Sequence, residues 1–309
     1  MNRKEIGFIG LGKMGKNMVL RMLNSKTINA HIYDISQDIV KELDKKGATG
    51  HTSIEDLIQG LWKERKIIWM MLPAGKITED TFQELLKLLK KGDIIIDGGN
   101  SNFKDTLKRH KECETKGIEM LDVGVSGGII SANKGYPMMI GGKKETYNYC
   151  KPIFTSFGIP EGFNLVGDKG SGHYVKMIHN SIEYGMMQAI SEGFDLLENG
   201  SIQNLDLKKI SHIWNHGTII ESFLMKMVEN ALTKNVKLNY LKPYVEDNGE
   251  GKWASIEALE QNVPFVVNTY AINARYISRD KNSMTFKMLA AMRNEFGGHP
   301  IKKNFYKQK

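Results

Sequence analysis

The chain has 309 residues, 41% of them hydrophobic and 25% charged, and a formal net charge of +8. That length allows two domains with separate cores, and the composition is typical of a globular protein rather than a disordered chain. No apolar run reaches the roughly 18 residues that a membrane-spanning helix needs, and no signal-peptide core precedes the first strand pattern. We therefore expect a cytoplasmic protein with no membrane partner.

The positive charge bears on the class of ligand, and the cysteines bear on the cell compartment and on metal binding. An excess of lysine and arginine suits an anionic small molecule, or merely a solvated surface. Basic and aromatic residues do not alternate as binding of single-stranded nucleic acid requires, so we expect no nucleic-acid partner. The two cysteines, Cys113 and Cys150, lack metal-ligand spacing. We expect them to be buried or half-buried thiols in a reducing compartment, and we expect no metal site.

The first half of the chain alternates short apolar runs with amphipathic stretches, which predicts a parallel α/β sheet with helices between its strands. The clearest predicted strands are residues 6–9, 31–33, 67–72, 94–97 and 120–122. The predicted helices include residues 14–23, 78–89 and 103–115. A weaker pattern follows, with strands at residues 136–140 and 164–166 around a helix near residues 146–154.

The character of the sequence changes at residues 167–170, which read Gly-Asp-Lys-Gly. Beyond them the pattern is long and helical, rich in Met, Leu and Ile, with few strand signals. We therefore predict an α/β domain over residues 1–168 and an all-α helical domain over residues 169–309.

A glycine-rich turn follows the first predicted strand and opens the first helix. Its glycines permit a tight turn, let backbone amides approach a pyrophosphate, and let the helix pack closely on the sheet. A strand before it, a helix after it and an acid about 20 residues further on complete the dinucleotide-binding pattern. The N-terminal domain is therefore predicted to be of the Rossmann type. The predicted cofactor residues of this turn are Gly10, Leu11, Gly12, Lys13, Met14 and Gly15.

The acid is Asp34, at the end of the second predicted strand. Its carboxylate would accept hydrogen bonds from both ribose hydroxyls and would repel a 2′-phosphate, and no arginine stands beside it to hold such a phosphate. The alternative is that Asp34 only caps a helix that begins near Ser36. We predict NAD as the cofactor, preferred over NADP.

Two further loops follow predicted strands, where ligands bind in open α/β sheets. The first contains Leu72, Pro73 and Ala74 and is predicted to border the nicotinamide. The second is residues 97–101, in which Asn100 offers both a donor and an acceptor to the cofactor or to a polyol. The alternative for this second loop is an ordinary turn in which Ser101 or Asn102 caps a helix.

Residues 171–184 carry an unusual set of polar side chains if they are helical. At about 100° per residue, five of them fall within an arc of about 140°, with Met177, Ile178 and Ile182 on the other side. An amine and a carboxylate two turns apart suit proton transfer to and from one small substrate. The alternative is a solvated helix face with a Lys–Glu pair. The five residues are Lys176, His179, Asn180, Glu183 and Tyr184.

Several stretches resemble known dehydrogenases. Residues 7–15, residues 122–128 and the Gly172-x3-Lys176-x3-Asn180 spacing resemble the β-hydroxyacid dehydrogenases. Within that superfamily the chain resembles the decarboxylating 6-phosphogluconate dehydrogenases, in residues 98–101, 175–185, 251–253, 274–275 and 293–299. The chain is much shorter than the commoner long form, so it is similar to a short-chain branch. It also has Asp34 where long, NADP-using members tend to carry a basic residue.

The resemblance implies a reaction and a role for each candidate residue. The implied reaction is oxidative decarboxylation of 6-phosphogluconate, a sugar-acid phosphate, to ribulose 5-phosphate, with Lys176 as base and Glu183 as acid. Phosphate would be held by Lys252, Arg275 and Arg293, with Tyr184 and His299 as further donors. Ser126, Gly127 and Gly128 would lie near the substrate carboxylate, and Asn100, His179 and Asn180 near the hydroxyls.

The resemblance also implies shared sites and leaves two alternatives open. In the long enzymes the tail arginine and histidine reach a neighbouring subunit's site, so we expect a homodimer or homotetramer in which Arg293 and His299 do the same. One alternative is a β-hydroxyacid dehydrogenase that acts on a small unphosphorylated 3-hydroxy acid. The other is a non-catalytic dinucleotide-binding sensor.

Overall fold

A computed structural model describes residues 3–297, 300 and 302, and only the backbone of Ile129, Phe296 and Gly297. The chain divides after Ser181 into two compact units, called here the N-terminal and C-terminal units. The division falls within one long helix, α8, which spans Ser171–Asn199.

The N-terminal unit is an eight-stranded sheet with helices between its strands. The strands are β1 (Lys4–Ile9), β2 (Ile28–Tyr33), β3 (Thr49–Gly50), β4 (Ile67–Met70), β5 (Ile94–Asp97), β6 (Glu119–Val125), β7 (Tyr136–Gly142) and β8 (Gly158–Gly167). The helices before α8 are α1 (Lys13–Ser25), α2 (Gln37–Asp44), α3 (Ile54–Gly60), α4 (Lys76–Leu88), α5 (Phe103–Thr115), α6 (Ser131–Lys134) and α7 (Lys144–Phe157). A single 3-10 turn covers Gly128–Ile130.

The strand order is β3-β2-β1-β4-β5-β6-β7-β8, with β1 to β6 parallel. All four residues of β4 and of β5 are buried, because helices cover both faces of a parallel sheet. This burial explains why both strands read as unbroken apolar runs. The predicted Rossmann-type fold is confirmed, and two predicted elements, β5 and α5, match to the residue.

The far edge of the sheet departs from the predicted parallel order. Strand β7 runs antiparallel to β6, and β8 runs parallel to β7. A parallel return needs a crossover of a dozen residues or more, whereas β6 and β7 are joined by the 3-10 turn and the four-residue helix α6. Strand β3 has only two residues, too few for an alternation pattern.

An aromatic cluster forms the centre of the core. The ring of Trp69 stacks on Phe8 with centroids 5.9 Å apart and meets the rings of Phe154 and Phe157 edge-on. A Cβ on Gly98 would lie 2.5 Å from the Trp69 ring, so only glycine fits where β5 ends. Cys113 and Cys150 are buried and unbonded to each other, as expected, and burial raises the pKa of each thiol to about 12.

In the described part of the C-terminal unit, the regular elements are all helices, which confirms the predicted all-α class. Side-chain oxygens of Asp206 and Ser222 cap the helices Leu207–Trp214 and Phe223–Lys234. The carboxylate of Glu229, on the second of these helices, accepts hydrogen bonds from His212 and Asn215 and so links the two helices. Hydrogen bonds from His212 and Lys226 lower the pKa of Glu229 to about 2. After α8 the helices are α9 (Leu207–Trp214), α10 (Phe223–Lys234), α11 (Glu250–Glu260), α12 (Val266–Arg279) and α13 (Met284–Gly297).

Large apolar side chains remain exposed on this unit. Val266 of α12 is 77% exposed and Phe286 of α13 is 57% exposed. On α8, Ile182 is 49% exposed, although the pattern placed it on the buried side with Met177, which is buried. Among the described residues, no helix has both the length and the apolarity required to span a membrane.

Candidate active site

The loops that leave β1, β4, β5 and β6 meet at one edge of the sheet, because these strands are parallel neighbours. This is the edge at which open α/β sheets bind ligands. These loops and the start of α1 contain the predicted cofactor residues except Asp34, which follows β2, and they also contain the Ser126 turn. The structure therefore brings together stretches that are more than one hundred residues apart in sequence.

The first of these loops forms a cradle of backbone amides. Gly10 has φ +98°, and a Cβ there would lie 2.3 Å from the carbonyl oxygen of Met71. A Cβ on Gly15 would lie 2.1 Å from the carbonyl oxygen of Gly10, so helix α1 can pack this closely on the turn only with glycine at position 15. A Cβ on Gly12 would meet open space, and Gly12 gives α1 no side-chain cap. The amides that begin the helix, at Lys13 and after it, therefore fit a pyrophosphate.

Asp34 ties this cradle to the end of β2. Its Oδ2 accepts a hydrogen bond of 2.6 Å from the backbone N–H of Leu11, and its Oδ1 accepts one of 2.8 Å from the backbone N–H of Ser36. Leu11 is buried, and Asp34 is half-buried. The carboxylate is held at the rim of the cradle, where further lone pairs suit ribose hydroxyls.

The loop after β4 closes over the glycine turn. A Cβ on Gly10 would lie 2.9 Å from Cδ2 of Leu72, and the Oγ1 of Thr78 donates to the oxygen of Pro73 at 2.7 Å. Leu72 is half-buried, whereas Pro73 and Ala74 are exposed. This loop thus offers an apolar wall with its backbone fixed by α4.

The loop that carries Asn100 is fixed by a buried ion pair that sequence reasoning missed. Asp97 accepts hydrogen bonds from the backbone N–H of Gly99, from Ser101 Oγ and from Arg109 Nη1, at 3.1, 2.9 and 3.0 Å. Asp97 is 0% exposed and Arg109 is 3% exposed. Asn102, not Ser101, caps α5, since its side chain accepts from the backbone N–H of Lys104. An arginine two turns into a charged helix gave no signal of its own.

Lys176 is held against β6 by the shape of the backbone. A Cβ on Gly124 would lie 2.3 Å from Cβ of Lys176, so only glycine at that point lets α8 pack here. Lys176 is 9% exposed, and its ammonium donates to Oδ1 of Asn180. The Nδ1 of His179 lies 3.1 Å from the same oxygen. Three of the five predicted polar residues of α8 therefore form one hydrogen-bonded group.

The turn after β6 is built from consecutive left-handed glycines. Gly127 has φ +91° and Gly128 has φ +56°. A Cβ on Gly127 would lie 1.8 Å from Oγ of Ser131, whereas one on Gly128 would meet open space. The backbone N–H of Ser126 donates to the oxygen of Pro137 at 3.0 Å. The turn is thus closely packed at Gly127 and open at Gly128.

In the C-terminal unit, two predicted substrate residues pack together. The guanidinium of Arg275 lies 3.6 Å from the ring centroid of Tyr184, and its Nη1 donates to the oxygen of Glu246. The hydroxyl of Tyr184 donates to Oδ1 of Asn248 at 2.8 Å. Burial raises the pKa of Tyr184, which keeps its phenol neutral and able to donate.

The remaining predicted residues lie on separate helices of the described chain. Glu183 is half-buried on α8, Lys252 is exposed on α11, and Arg293 is exposed on α13. His299 lies outside the described residues. Among those described, no group of three His, Cys, Asp or Glu side chains is arranged to hold a metal ion.

Two family models match the chain, one over each of its predicted domains. Residues 5–167 match the family model described as the NAD binding domain of 6-phosphogluconate dehydrogenase. Residues 172–298 match the model described as the 6-phosphogluconate dehydrogenase C-terminal domain. The Bacillus subtilis protein YqeC is 40% identical over 301 residues, which cover 97% of this chain and 99% of that relative.

Two further relatives are named for an enzymatic activity. An NAD(+)-dependent, decarboxylating 6-phosphogluconate dehydrogenase of Haloferax volcanii is 35% identical over 299 residues, 96% of this chain and 98% of that relative. The Plasmodium falciparum 6-phosphogluconate dehydrogenase, solved alone, with NADP+ and with 6-phosphogluconate, superposes with a TM-score of 0.82 at 31% identity. That superposition covers 98% of this chain and 67% of the Plasmodium chain. The chain belongs to the 6-phosphogluconate dehydrogenase family and has its NAD(P)-binding domain.

Proposed function

We propose that this protein catalyses the NAD-linked oxidative decarboxylation of 6-phosphogluconate to ribulose 5-phosphate and CO2. The observation that carries the proposal is the buried Lys176, which α8 presents beside β6 with its ammonium bonded to Asn180. The same helix carries Glu183 two turns further on. In a member of this family, that pair supplies one base and one acid for a single sugar acid.

Residues 1–168 would bind the cofactor and residues 169–309 the substrate. Strand β8 ends at Gly167 and α8 begins at Ser171, which supports this boundary. The cradle at Gly12 and the amides at the start of α1 would hold the pyrophosphate, and Asp34 the ribose hydroxyls. When bound, NAD accepts the hydride from C3 of the substrate. NAD is preferred over NADP because a 2′-phosphate would face the carboxylate of Asp34.

The proton transfers fall to two residues. Lys176, as the free amine, takes the proton of the C3 hydroxyl as that carbon is oxidised. The 3-keto acid then loses CO2, because the new carbonyl accepts the electron pair of the breaking C–C bond. Lys176, now an ammonium, stabilises the oxygen that becomes negative. Glu183 donates a proton to the carbon that lost CO2, which gives ribulose 5-phosphate.

Other residues orient the substrate by its two charged ends. The open side of the Ser126-Gly127-Gly128 turn offers amides to the carboxylate, and Asn100, His179 and Asn180 serve the hydroxyls. The phosphate suits guanidinium groups, whose planar fork donates two parallel charge-assisted bonds. Arg275 is already oriented by its stacking on Tyr184. The phosphate ligands would be Lys252, Arg275 and Arg293, with Tyr184 and His299 as further donors.

We further propose that the enzyme is a homodimer. Every described side chain of α13 from Met284 to Met292 is exposed or half-exposed within one chain, and several of them are large and apolar. An isolated helix of this length is marginal in water, so a second copy of the chain is the expected cover. Arg293 follows directly on this surface, which favours a site shared between subunits. The free, buried thiols of Cys113 and Cys150 are consistent with a cytoplasmic enzyme.

The test is turnover of purified protein with 6-phosphogluconate, followed by absorbance of the reduced nicotinamide and by release of CO2. We expect equimolar NADH and CO2, with NADP a poorer acceptor and unphosphorylated gluconate a poorer substrate. Oxidation of 3-hydroxyisobutyrate in place of 6-phosphogluconate would instead identify the non-decarboxylating alternative. A flat trace with every acid, together with measurable NAD binding, would identify a sensor.

A further inference from the structure

Asp122 is a fully buried carboxylate that the proposed chemistry does not use. It lies in β6 and is 0% exposed. Its Oδ1 accepts from Nε2 of His110 at 2.9 Å and from the backbone N–H of Gly170 at 2.8 Å. Its Oδ2 accepts from the backbone N–H of His173 at 3.0 Å. A side chain from the sheet therefore caps the N-terminus of α8 from outside that helix.

The backbone around this contact has no spare room. A Cβ on Gly172 would lie 2.2 Å from the carbonyl oxygen of Asp122, and one on Gly141 would lie 2.7 Å from its Oδ1. The first turn of α8 therefore packs directly against the backbone of β6 and β7. Lys176 follows one turn after His173, and its own Cβ meets the position of Gly124 in the same strand. The Asp122 contacts and the contact of Lys176 at Gly124 therefore join the first turns of α8 to the same strand.

The same cluster also reaches the loop that carries Asn100. The Nδ1 of His173 lies 2.7 Å from Oγ1 of Thr106, and that oxygen lies 3.2 Å from the carbonyl oxygen of Asn102. A carbonyl only accepts, so the hydroxyl hydrogen goes to Asn102 and Nδ1 of His173 donates to Thr106. Asn102 is the N-cap of α5, two residues after Asn100. One buried network thus joins the start of α8 to this loop.

The charge of Asp122 suits the contact. Burial raises its pKa, but the hydrogen bond from His110 and the interaction with His173 outweigh that effect and leave the pKa below its usual value. The group is therefore a carboxylate at neutral pH. A negative charge at the N-terminus of a helix is stabilised by the helix dipole and by the otherwise unpaired amides.

We propose that Asp122 is a positioning residue for Lys176, acting through the first turn of α8 with His110 as its partner. This inference rests on the proposed function, in which Lys176 must meet a substrate hydroxyl. A base displaced by about 1 Å can cost on the order of a hundredfold in rate. Loss of the Asp122 contacts should therefore lower kcat more than it changes KM for NAD, whose cradle lies at the end of β1.

The decisive variant is Asp122→Asn, because the amide keeps the size but cannot accept from all three donors. Asp93→Asn is its matched control. Asp93 is equally buried, at 1% exposed, and accepts from the backbone N–H groups of Lys66 and Lys90, both at 2.9 Å. It lies just before the start of β5, whereas Lys176 lies near the end of the neighbouring parallel strand β6. In each variant an amide NH2 group replaces a carboxylate oxygen that accepts from at least one backbone N–H, but only Asp122 lies at α8.

We expect Asp122→Asn to lower kcat about tenfold to a hundredfold with KM for NAD within about twofold. We expect Asp93→Asn to keep kcat within about twofold, even with a similar fall in Tm. Amide hydrogen exchange, measured by mass spectrometry without substrate, should be faster for residues 168–182 in Asp122→Asn alone. Unchanged kcat in folded Asp122→Asn, or an equal loss of kcat in Asp93→Asn, would overturn the proposal.

A second pair of variants serves if Asp122→Asn does not fold. His110→Ala removes one donor to the carboxylate, and His110→Gln can restore it through its amide nitrogen. We expect several-fold lower kcat in His110→Ala and recovery in His110→Gln; equal, wild-type values in both would overturn the proposal. If amide exchange at α8 is faster in Asp122→Asn but the wild-type protein is inactive on 6-phosphogluconate, only the proposed function is contradicted. Unchanged exchange and unchanged kcat with an active wild type would remove only the positioning role.

Discussion

The carboxylate of Asp34 accepts a 2.6 Å hydrogen bond from the backbone N–H of Leu11, in the middle of the glycine-rich turn. The two partners are 23 positions apart in sequence, and the bond joins the end of β2 to the loop after β1. The other carboxylate oxygen of Asp34 accepts a hydrogen bond from the backbone N–H of Ser36. The acid that should select the cofactor is therefore fixed by the loop that should bind the cofactor's phosphates.

The first prediction concerns cofactor choice at Asp34. Asp34→Ala should lower kcat/KM for NAD about tenfold to a hundredfold, because hydrogen bonds to a charged group are worth about 1.5–3 kcal/mol. Efficiency with NADP should fall less, since the repulsion of a 2′-phosphate is removed. Asp38→Ala, an exposed acid in the first turn of α2, is the control and should change neither value. Wild-type enzyme that used NADP better than NAD would contradict the carboxylate argument.

The second prediction concerns the base. Lys176→Met keeps the apolar stem and removes the amine, so both NADH formation and CO2 release should be lost, while NAD still binds. The two products are measured in one reaction, and NAD binding by fluorescence. Lys151→Met, at an exposed lysine on α7, should retain wild-type turnover. Near-normal turnover by Lys176→Met would remove Lys176 from the mechanism.

The third prediction concerns the acid. Glu183→Gln should slow steady-state turnover about a hundredfold or more, the usual contribution of a placed acid, and leave NAD binding intact. The matched control is Glu192→Gln, an exposed carboxylate on the same helix that accepts from Gln188 at 2.8 Å. Equal turnover in both variants would show that Glu183 does not donate the proton.

The fourth prediction tests sharing of sites between subunits. Lys176→Ala and Arg293→Ala are mixed under conditions that let subunits exchange. If the sites are shared, half of the dimers are mixed and each has one intact site, so activity should recover to about a quarter of wild type. Lys176→Ala mixed with Glu183→Gln is the control, since both residues lie on one helix and no intact site can form. Proven exchange without recovery would place Arg293 in its own chain's site or outside any site.

The fifth prediction concerns the buried ion pair behind Asn100. Arg109→Ala leaves Asp97 buried without its charged partner and should lower the free energy of unfolding by about 3–5 kcal/mol. Lys76→Ala breaks the exposed pair with Asp80 and should cost no more than about 1 kcal/mol. Denaturant titration measures both. Equal effects would mean that the Asp97 pair contributes no more than a surface pair.

Much of the N-terminal unit could be read locally. The apolar runs of β4 and β5 reflect burial on both faces, and the turn at Gly10 and Gly12 lies between a strand and a helix, as its spacing predicts. Helix α8 covers the whole of residues 171–184, so the polar arc predicted from 100° per residue is present in the fold. These features depend on neighbours a few residues away, and such neighbours are visible in a sequence.

The sequence by itself determined the fold class, the cofactor turn and the polar helix, because each rests on local spacing and on period. Only the tertiary structure decided which distant groups meet. Close packing against Lys176 requires glycine at position 124, and Asp122 caps α8. Asp97 pairs with Arg109, and β7 runs antiparallel to β6. These four relationships are seen only in the folded chain. Such contacts join residues far apart in sequence. Their close fit arises from packing between elements, which no pattern within one element records.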